Sequence, residues 1–289
     1  MKLLTMDVVV LAWNEEEDIA ECLDHLIAQG NDLNKIIVVD NASTDKTADI
    51  VKKYIRKYRK IKLVYEAKPG VENARNTGFA ASKADIMGRI DVDTHVGAGW
   101  ARATRKFLTE HKDRYAGCTG LSEFYDMPFP RFCRLLTRLA RSFANNQLGS
   151  GGAFVGSNMA IRRDAWEKIK EDVKGESSGA LMEDLSVSLT LNNHGGKIGT
   201  AVDMLAGISG RRQRTSPASY VRYNARWWNT YLIYGYPFRA IVIRIFAVWL
   251  GNLAVICWST ILRFYDSRTK KWSLKNWKRG FEGRKFRAS

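Results

Sequence analysis

The chain has 289 residues, with 46 lysines and arginines against 30 aspartates and glutamates, a formal charge of +16, and 45% apolar content. This excludes a disordered chain, a collagen-like repeat and a small disulfide scaffold, and the length allows one large α/β domain, or a domain with an appendage, that needs no covalent staples. Cys22, Cys118, Cys133 and Cys257 stand far apart with no CxxC or Cys/His spacing, which argues against a zinc ribbon and fits packing residues in a reducing compartment. The N-terminal stretch lacks a small-residue cleavage pattern, so no secretory signal is expected and the bulk of the chain is expected in the cytoplasm.

In chain order, residues 8–12 read as a buried strand, 16–30 as a helix with Ile19, Leu23, Leu26 and Ile27 on one face, and 35–40 (KIIVVD) as the next strand. A helix over 44–58 carries Thr47, Ile50, Val51 and Tyr54; a strand over 62–66, a helix over 71–81 and a strand over 85–91 that ends in acids follow. Successive βα units imply a mostly parallel, Rossmann-like sheet flanked by helices, with right-handed crossovers. Ligands of such sheets bind beyond the carboxyl ends of the strands, and there the sequence clusters Asn14 with Glu15, Asp40 with Asn41, and Asp91 with Asp93. After Pro130, arginines 131, 134, 138 and 141 form one helical stripe interleaved with apolar residues, which suits either anionic lipid or the solvated face of a core helix.

Three constellations carry chemistry. Asp91 and Asp93, two apart at a strand end, lean to the same side, and two adjacent anions there suit a hard divalent ion, Mg²⁺ or Mn²⁺, completed by substrate phosphates; a solvated acidic turn is the competing reading. Glu183 and Asp184 open a helical run with Leu181, Leu185 and Leu189 at i, i+4. The helix dipole favours acids in a first turn, while the functional alternative is a general base for an acceptor hydroxyl. Arg211, Arg212 and Arg214 in SGRRQRTS, followed by Arg222 and Arg226, suit a pyrophosphate or lipid phosphate through bidentate guanidinium contacts, or simply a basic turn in solvent. His95 and His194 could reach the acidic site, whereas His25 and His111 fall on helix faces, and none has ligand spacing.

Half of the excess charge, +8, lies in the last 27 residues, directly behind an 18-residue uncharged segment, 245–262, with Trp249 and Trp258 near its ends. The segment is at the lower limit for a span, and spanning would place the basic tail on the wrong side. A peripheral or re-entrant membrane association is therefore favoured over a span or a protein-buried helix. This divides the chain into a catalytic domain over 1–236 and a membrane-associating extension over 237–289.

Together these segments resemble the inverting glycosyltransferase family 2, with its GT-A fold: VVVLAWNEEEDIAECLDHL, IIVVDNASTDKTADIV, KPGVENARNTGFAAS, DVDTH, GSNMAIRRDAW and MEDLSVSL occur in the expected order between Val8 and Leu191. The resemblance implies that Asn14 and Glu15 border the nucleotide, Asp40 binds the base with Arg75 near it, Asp91 and Asp93 act at the ribose and the metal, and Asp184 is the catalytic base. Glu183, Arg211, Arg212 and Arg214 are candidates on the acceptor or phosphate side. Two positions depart from the family pattern: Ala12-Trp13 replaces the usual Pro-Tyr, and Asp40-Asn41 replaces an acidic pair. Tyr223 stands where the Gln-x-x-Arg-Trp of processive synthases has Gln before Arg226-Trp227, and the single apolar segment offers no channel, so the expectation is a single-addition enzyme. The expected partners are a UDP- or GDP-type nucleotide sugar, an acceptor glycan or polyprenyl phosphate, and an anionic membrane surface, with no nucleic acid. A sugar nucleotidyltransferase is disfavoured because the loop after the first strand is acidic, and a nucleic-acid-binding protein because the charge sits beside an apolar segment.

Overall fold

A computed structural model describes residues 2–129, 135, 152–175, 180–211, 216–243, 261–262, 264–266 and 270–274. The Arg131 to Arg141 stripe, Arg212, Arg214 and nearly all of the apolar segment and basic tail lie outside the described residues.

The first half is a run of βα units. Strands β1 (Met6–Ala12), β2 (Lys35–Asp40), β3 (Ile61–Tyr65) and β4 (Ile86–Asp91) lie parallel in the order β3-β2-β1-β4. Helices α1 (Ile19–Ile27), α2 (Thr47–Lys57) and α3 (Val71–Ala81) connect them. The uninterrupted apolar run of β1 is explained by cover on both faces. Val8 and Val10 pack with Ile19, Leu23 and Leu26 of α1, while Val9 packs with Ala74 and Phe79 of α3. Gly78 lets α3 come close, since a Cβ there would stand 2.3 Å from Val9.

The second half departs from that pattern. It comprises β5 (Thr94–Val96), α4 (Trp100–Glu110), β6 (Gly117–Phe124), β7 (Met159–Arg162), α5 (Arg163–Ile169), α6 (Glu183–Asn193) and β8 (Ile198–Ile208). The sheet continues from β4 as β7-β6-β8-β5. Here β7 runs antiparallel to both β4 and β6, and β5 antiparallel to β8, while β6 and β8 are parallel. The eight-stranded sheet is thus mixed, with its parallel half at the N-terminal end.

Local differences from expectation have local causes. The helix expected from Glu16 begins at Ile19, because the N–H groups of Glu15 and Glu16 are taken by Thr47 Oγ1 and the Asp45 carboxylate in the loop leading into α2. Helix α6 is buried on every side instead of along one leucine stripe: Leu185 and Leu189 face one apolar cluster, Val187 and Leu191 another. The first of these clusters is completed by α7 (Pro217–Ile233) and α8 (Pro237–Ile243), which contribute Tyr231 and Ala240. Ser216 caps α7, accepting from the Ser219 N–H ahead of Pro217 in the first turn. A two-stranded ribbon pairs β9 (Tyr265–Asp266) with β10 (Lys271–Trp272). No helix among the described residues is long and apolar enough to cross a membrane.

Candidate active site

A cleft of about 320 Å³ opens beyond the carboxyl end of β4, bounded by the start of α6, the end of β8 and one face of α7. Asp91, Asp93, Glu183, Asp184, Arg211 and Arg226 all line it. Residues more than a hundred positions apart in sequence are thereby brought to one place.

Two ion clusters organise the walls. In the first, the guanidinium of Arg211 clasps three carboxylates: Nη1 and Nη2 lie 3.1 and 3.0 Å from the two Glu15 oxygens, Nε lies 2.6 Å from Asp93 and Nη1 lies 3.5 Å from Asp18. Burial works against the charge on Arg211, but Asp93 and Glu15 hold it protonated. In the second, Glu183 is gripped by Arg75 Nη1 on one oxygen and by Arg89 Nη1 at 3.4 Å on the other, and Arg89 Nη2 reaches Asp91 at 2.9 Å. Arg75 is fully buried, also bonds Asn76 and packs its guanidinium 5.1 Å from the Trp166 ring.

Asp184 lies beside this second cluster but is engaged differently. Among the described residues its oxygens accept from backbone N–H groups, Gly156 to Oδ2 and Leu185 to Oδ1, both at 2.9 Å. Burial, then the neighbouring Glu183 carboxylate, push the Asp184 carboxyl above the usual aspartate range against the pull of Arg89. A fixed carboxylate of raised basicity at the floor of a cleft has the properties a general base needs. Gly156 is required there, since a Cβ would stand 1.8 Å from Arg89 Nη1 and 3.3 Å from the Asp184 carboxylate.

Asn14 and Asp40 sit at the carboxyl ends of β1 and β2, outside the lining of this cleft. Asn14, at φ 52°, accepts the Thr44 N–H at 2.7 Å, and Asp40 is buried with its carboxylate on the Ser43 N–H at 3.0 Å. These contacts shape a shelf where the β1 and β2 loops meet. Arg75, expected beside the base, is buried and pairs with Glu183 in the first turn of α6. His95 stacks between His25 and Tyr125, and His194 pairs with Asp172 at 3.0 Å. Sequence reasoning missed Arg89, Asp18 and Gly156; the signal for Arg89 was a lone cation inside the buried strand IMGRID.

Residues 7–170 match the family described as glycosyl transferase family 2. Among curated relatives, the probable glycosyltransferase YdaM of Bacillus subtilis is 29% identical over 212 residues, 66% of this chain and 47% of that protein. The uncharacterized glycosyltransferase EpsJ of the same organism is 26% identical over 113 residues, 39% of this chain; that match spans 33% of the relative, about a third of its length. Among solved structures, the mannosyltransferase PcManGT from Pyrobaculum calidifontis, in complex with GDP-Man and Mn²⁺, superposes with a TM-score of 0.65 at 18% identity, covering 96% of this chain and 79% of that one. TarS 1-349 of S. aureus superposes with a TM-score of 0.56 at 16% identity, covering 95% and 89%. With the sheet order in place and more than half of the chain matched, the chain belongs to glycosyl transferase family 2 and has the GT-A fold.

Proposed function

We propose that this enzyme moves one sugar from a UDP- or GDP-type nucleotide sugar to an acceptor hydroxyl or phosphate in a single inverting displacement. The observation that carries the reading is Asp184, a carboxylate of raised pKa held by two backbone N–H groups in the same cleft as Asp91 and Asp93. Asp184 takes the proton of the acceptor hydroxyl as that oxygen attacks the anomeric carbon from the face opposite the departing nucleotide. Glu183, with both oxygens on arginines, fixes the first turn of α6 and so aims Asp184.

Asp91 and Asp93 fit a hard divalent ion, Mg²⁺ or Mn²⁺. Both carboxylates line one cleft, and Asp93 already rests against a cation, Arg211, as a carboxylate does whose charge needs a partner. Such an ion, when bound, offsets the charge of the departing diphosphate. Asn14, Glu15 and Asp40 border the nucleotide on the shelf formed by the β1 and β2 loops. Arg211, together with Arg212 and Arg214, meets the phosphates, while Arg75 acts at one remove by holding Glu183.

The acceptor is presented at an anionic membrane, as a polyprenyl phosphate or a lipid-linked saccharide, and the enzyme works from the cytoplasmic face. Support comes from the +8 tail behind an apolar segment and from α7 and α8, whose Leu232, Ile233, Phe238 and Ile241 are exposed beside Arg239 and Lys174.

Asp184→Asn tests the base. Transfer is expected to fall by about 10²–10⁴ while Mn²⁺-dependent donor binding persists; Asp93→Ala is expected to lose both. Transfer by Asp184→Asn at the wild-type rate overturns the assignment.

A further inference from the structure

A cluster outside the catalytic cleft has the composition of a metal centre. Glu21 and His25 lie one turn apart on α1, away from its buried positions Ile19, Cys22, Leu23 and Leu26. His95 is the half-buried middle residue of β5, between buried Thr94 and Val96. The potential ligand atoms of Glu21, His25 and His95 all lie within 4.8 Å of one another, and His95 Nδ1 is 3.7 Å from Glu21 Oε1. The two imidazoles are stacked with centroids 4.7 Å apart and planes 11° from parallel, and Tyr125 backs the other face of His95 at 4.2 Å.

The two elements that carry these groups are fixed to each other. One turn after His25, the Gln29 side chain donates to the Gly97 carbonyl at 3.0 Å and accepts the Ala101 N–H at 3.1 Å, which pins the end of α1 to the residue that follows β5 and to the first turn of α4. The distance from His25 to His95 is therefore set by buried structure and does not depend on two surface side chains meeting by chance.

We propose that Glu21, His25 and His95 form a second cation site, suited to Zn²⁺ and separate from the carboxylate pair of the cleft. The donor set, two imidazole nitrogens and one carboxylate oxygen, is the kind that borderline transition ions prefer, whereas Mg²⁺ and Mn²⁺ prefer the all-oxygen set of Asp91 and Asp93. Ligand atoms on a tetrahedral zinc ion lie about 3.3 Å apart, given Zn–N distances of roughly 2.0–2.1 Å. Closing the cluster to that size takes a rotation of the His25 ring and a small swing of Glu21, whose side chain is 63% exposed. Three protein ligands leave a fourth position for water. The ion ties α1 to β5 two residues beyond Asp93.

The test uses the full chain, stripped of metal and held in excess Mg²⁺, with Zn²⁺ titrated against a chromophoric chelator. One Zn²⁺ per chain is expected to bind and to stay bound in the excess of Mg²⁺, and His25→Ala and Glu21→Gln are each expected to weaken it by about tenfold or more. Asp91→Asn is expected to leave the Zn²⁺ affinity unchanged. Glu21→Gln alters one exposed atom and preserves folding, so its melting temperature without metal should match wild type, and only the wild type should gain thermal stability on adding Zn²⁺. The proposal is overturned if Zn²⁺ is displaced by Mg²⁺, or if His25→Ala and Glu21→Gln bind it as the wild type does; the three side chains are then an aromatic stack with an ion pair at its edge.

Discussion

At the residue scale, Arg211 holds Glu15, Asp18 and Asp93 together, and the same Asp93 is one of the two carboxylates proposed to hold a divalent ion. A divalent ion at Asp93 shares that carboxylate's charge with Arg211, and the two cations repel each other across it. Arg211→Met is therefore expected to tighten Mn²⁺ binding by about tenfold, the equivalent of about 1.4 kcal/mol, a fraction of the roughly 4 kcal/mol that one charge 4 Å away exerts at an effective dielectric near 20, because Glu15 and Asp18 already offset Arg211, while turnover falls. A Mn²⁺ titration followed by electron paramagnetic resonance reads the affinity, and weaker binding would show that Arg211 aims Asp93 and does not compete for it. Asp184 supplies a second expectation. A base must be deprotonated to act, and burial raises its pKa from the ordinary 3.8. The transfer rate should thus fall with decreasing pH along a limb displaced upward from ordinary aspartate. A pH profile of kcat whose acid limb lies at or below the ordinary value would contradict this.

At the scale of elements, β7 joins two halves of different design, and Asn158 at its start fastens that joint. The buried Asn158 amide accepts the Trp100 indole N–H at 2.8 Å and donates to the carbonyls of Leu121 and Met204 at 3.0 and 3.1 Å, connecting α4, β6 and β8. Asn158→Ala strands one donor and two acceptors in a dry interior, and urea unfolding is expected to show a loss of about 2–3 kcal/mol. The parallel half of the sheet was legible in the sequence because runs such as KIIVVD, flanked by amphipathic helices, leave few other foldings. The antiparallel half was not, because MAIR is four residues long with no period to read, and its partners are chosen by contacts with β4 and β6 distant in the chain. The same contrast holds within the site. Asp91, Asp93 and Asp184 declare themselves by standing at a strand end or a helix start, whereas the Arg211 to Glu15 contact joins residues 196 positions apart and leaves no local trace.

At the scale of the whole molecule, charge and apolar exposure are concentrated toward the C-terminal part. Exposed Phe238 and Ile241 on α8 precede the apolar segment and the +8 tail, and Ala240 of the same helix is buried against α6 and α7. A chain ending after Ile243 therefore keeps α8 docked while losing the tail. Sedimentation with anionic liposomes is expected to capture the full chain and release it at high salt, and to capture the shortened chain several-fold less. Equal, poor capture of both would remove the membrane from the proposed function. The cleft itself draws on Glu15 near one end of the chain and on Arg226 beyond β8, with Asp184 between them. During synthesis the parallel strands leave the ribosome first, carrying Asp91 and Asp93, while Asp184 and Arg211 follow some ninety to a hundred and twenty positions later. A nascent chain can thus form the shelf of the β1 and β2 loops well before the acidic start of α6, so that the cleft is completed only after about two thirds of the chain has been made.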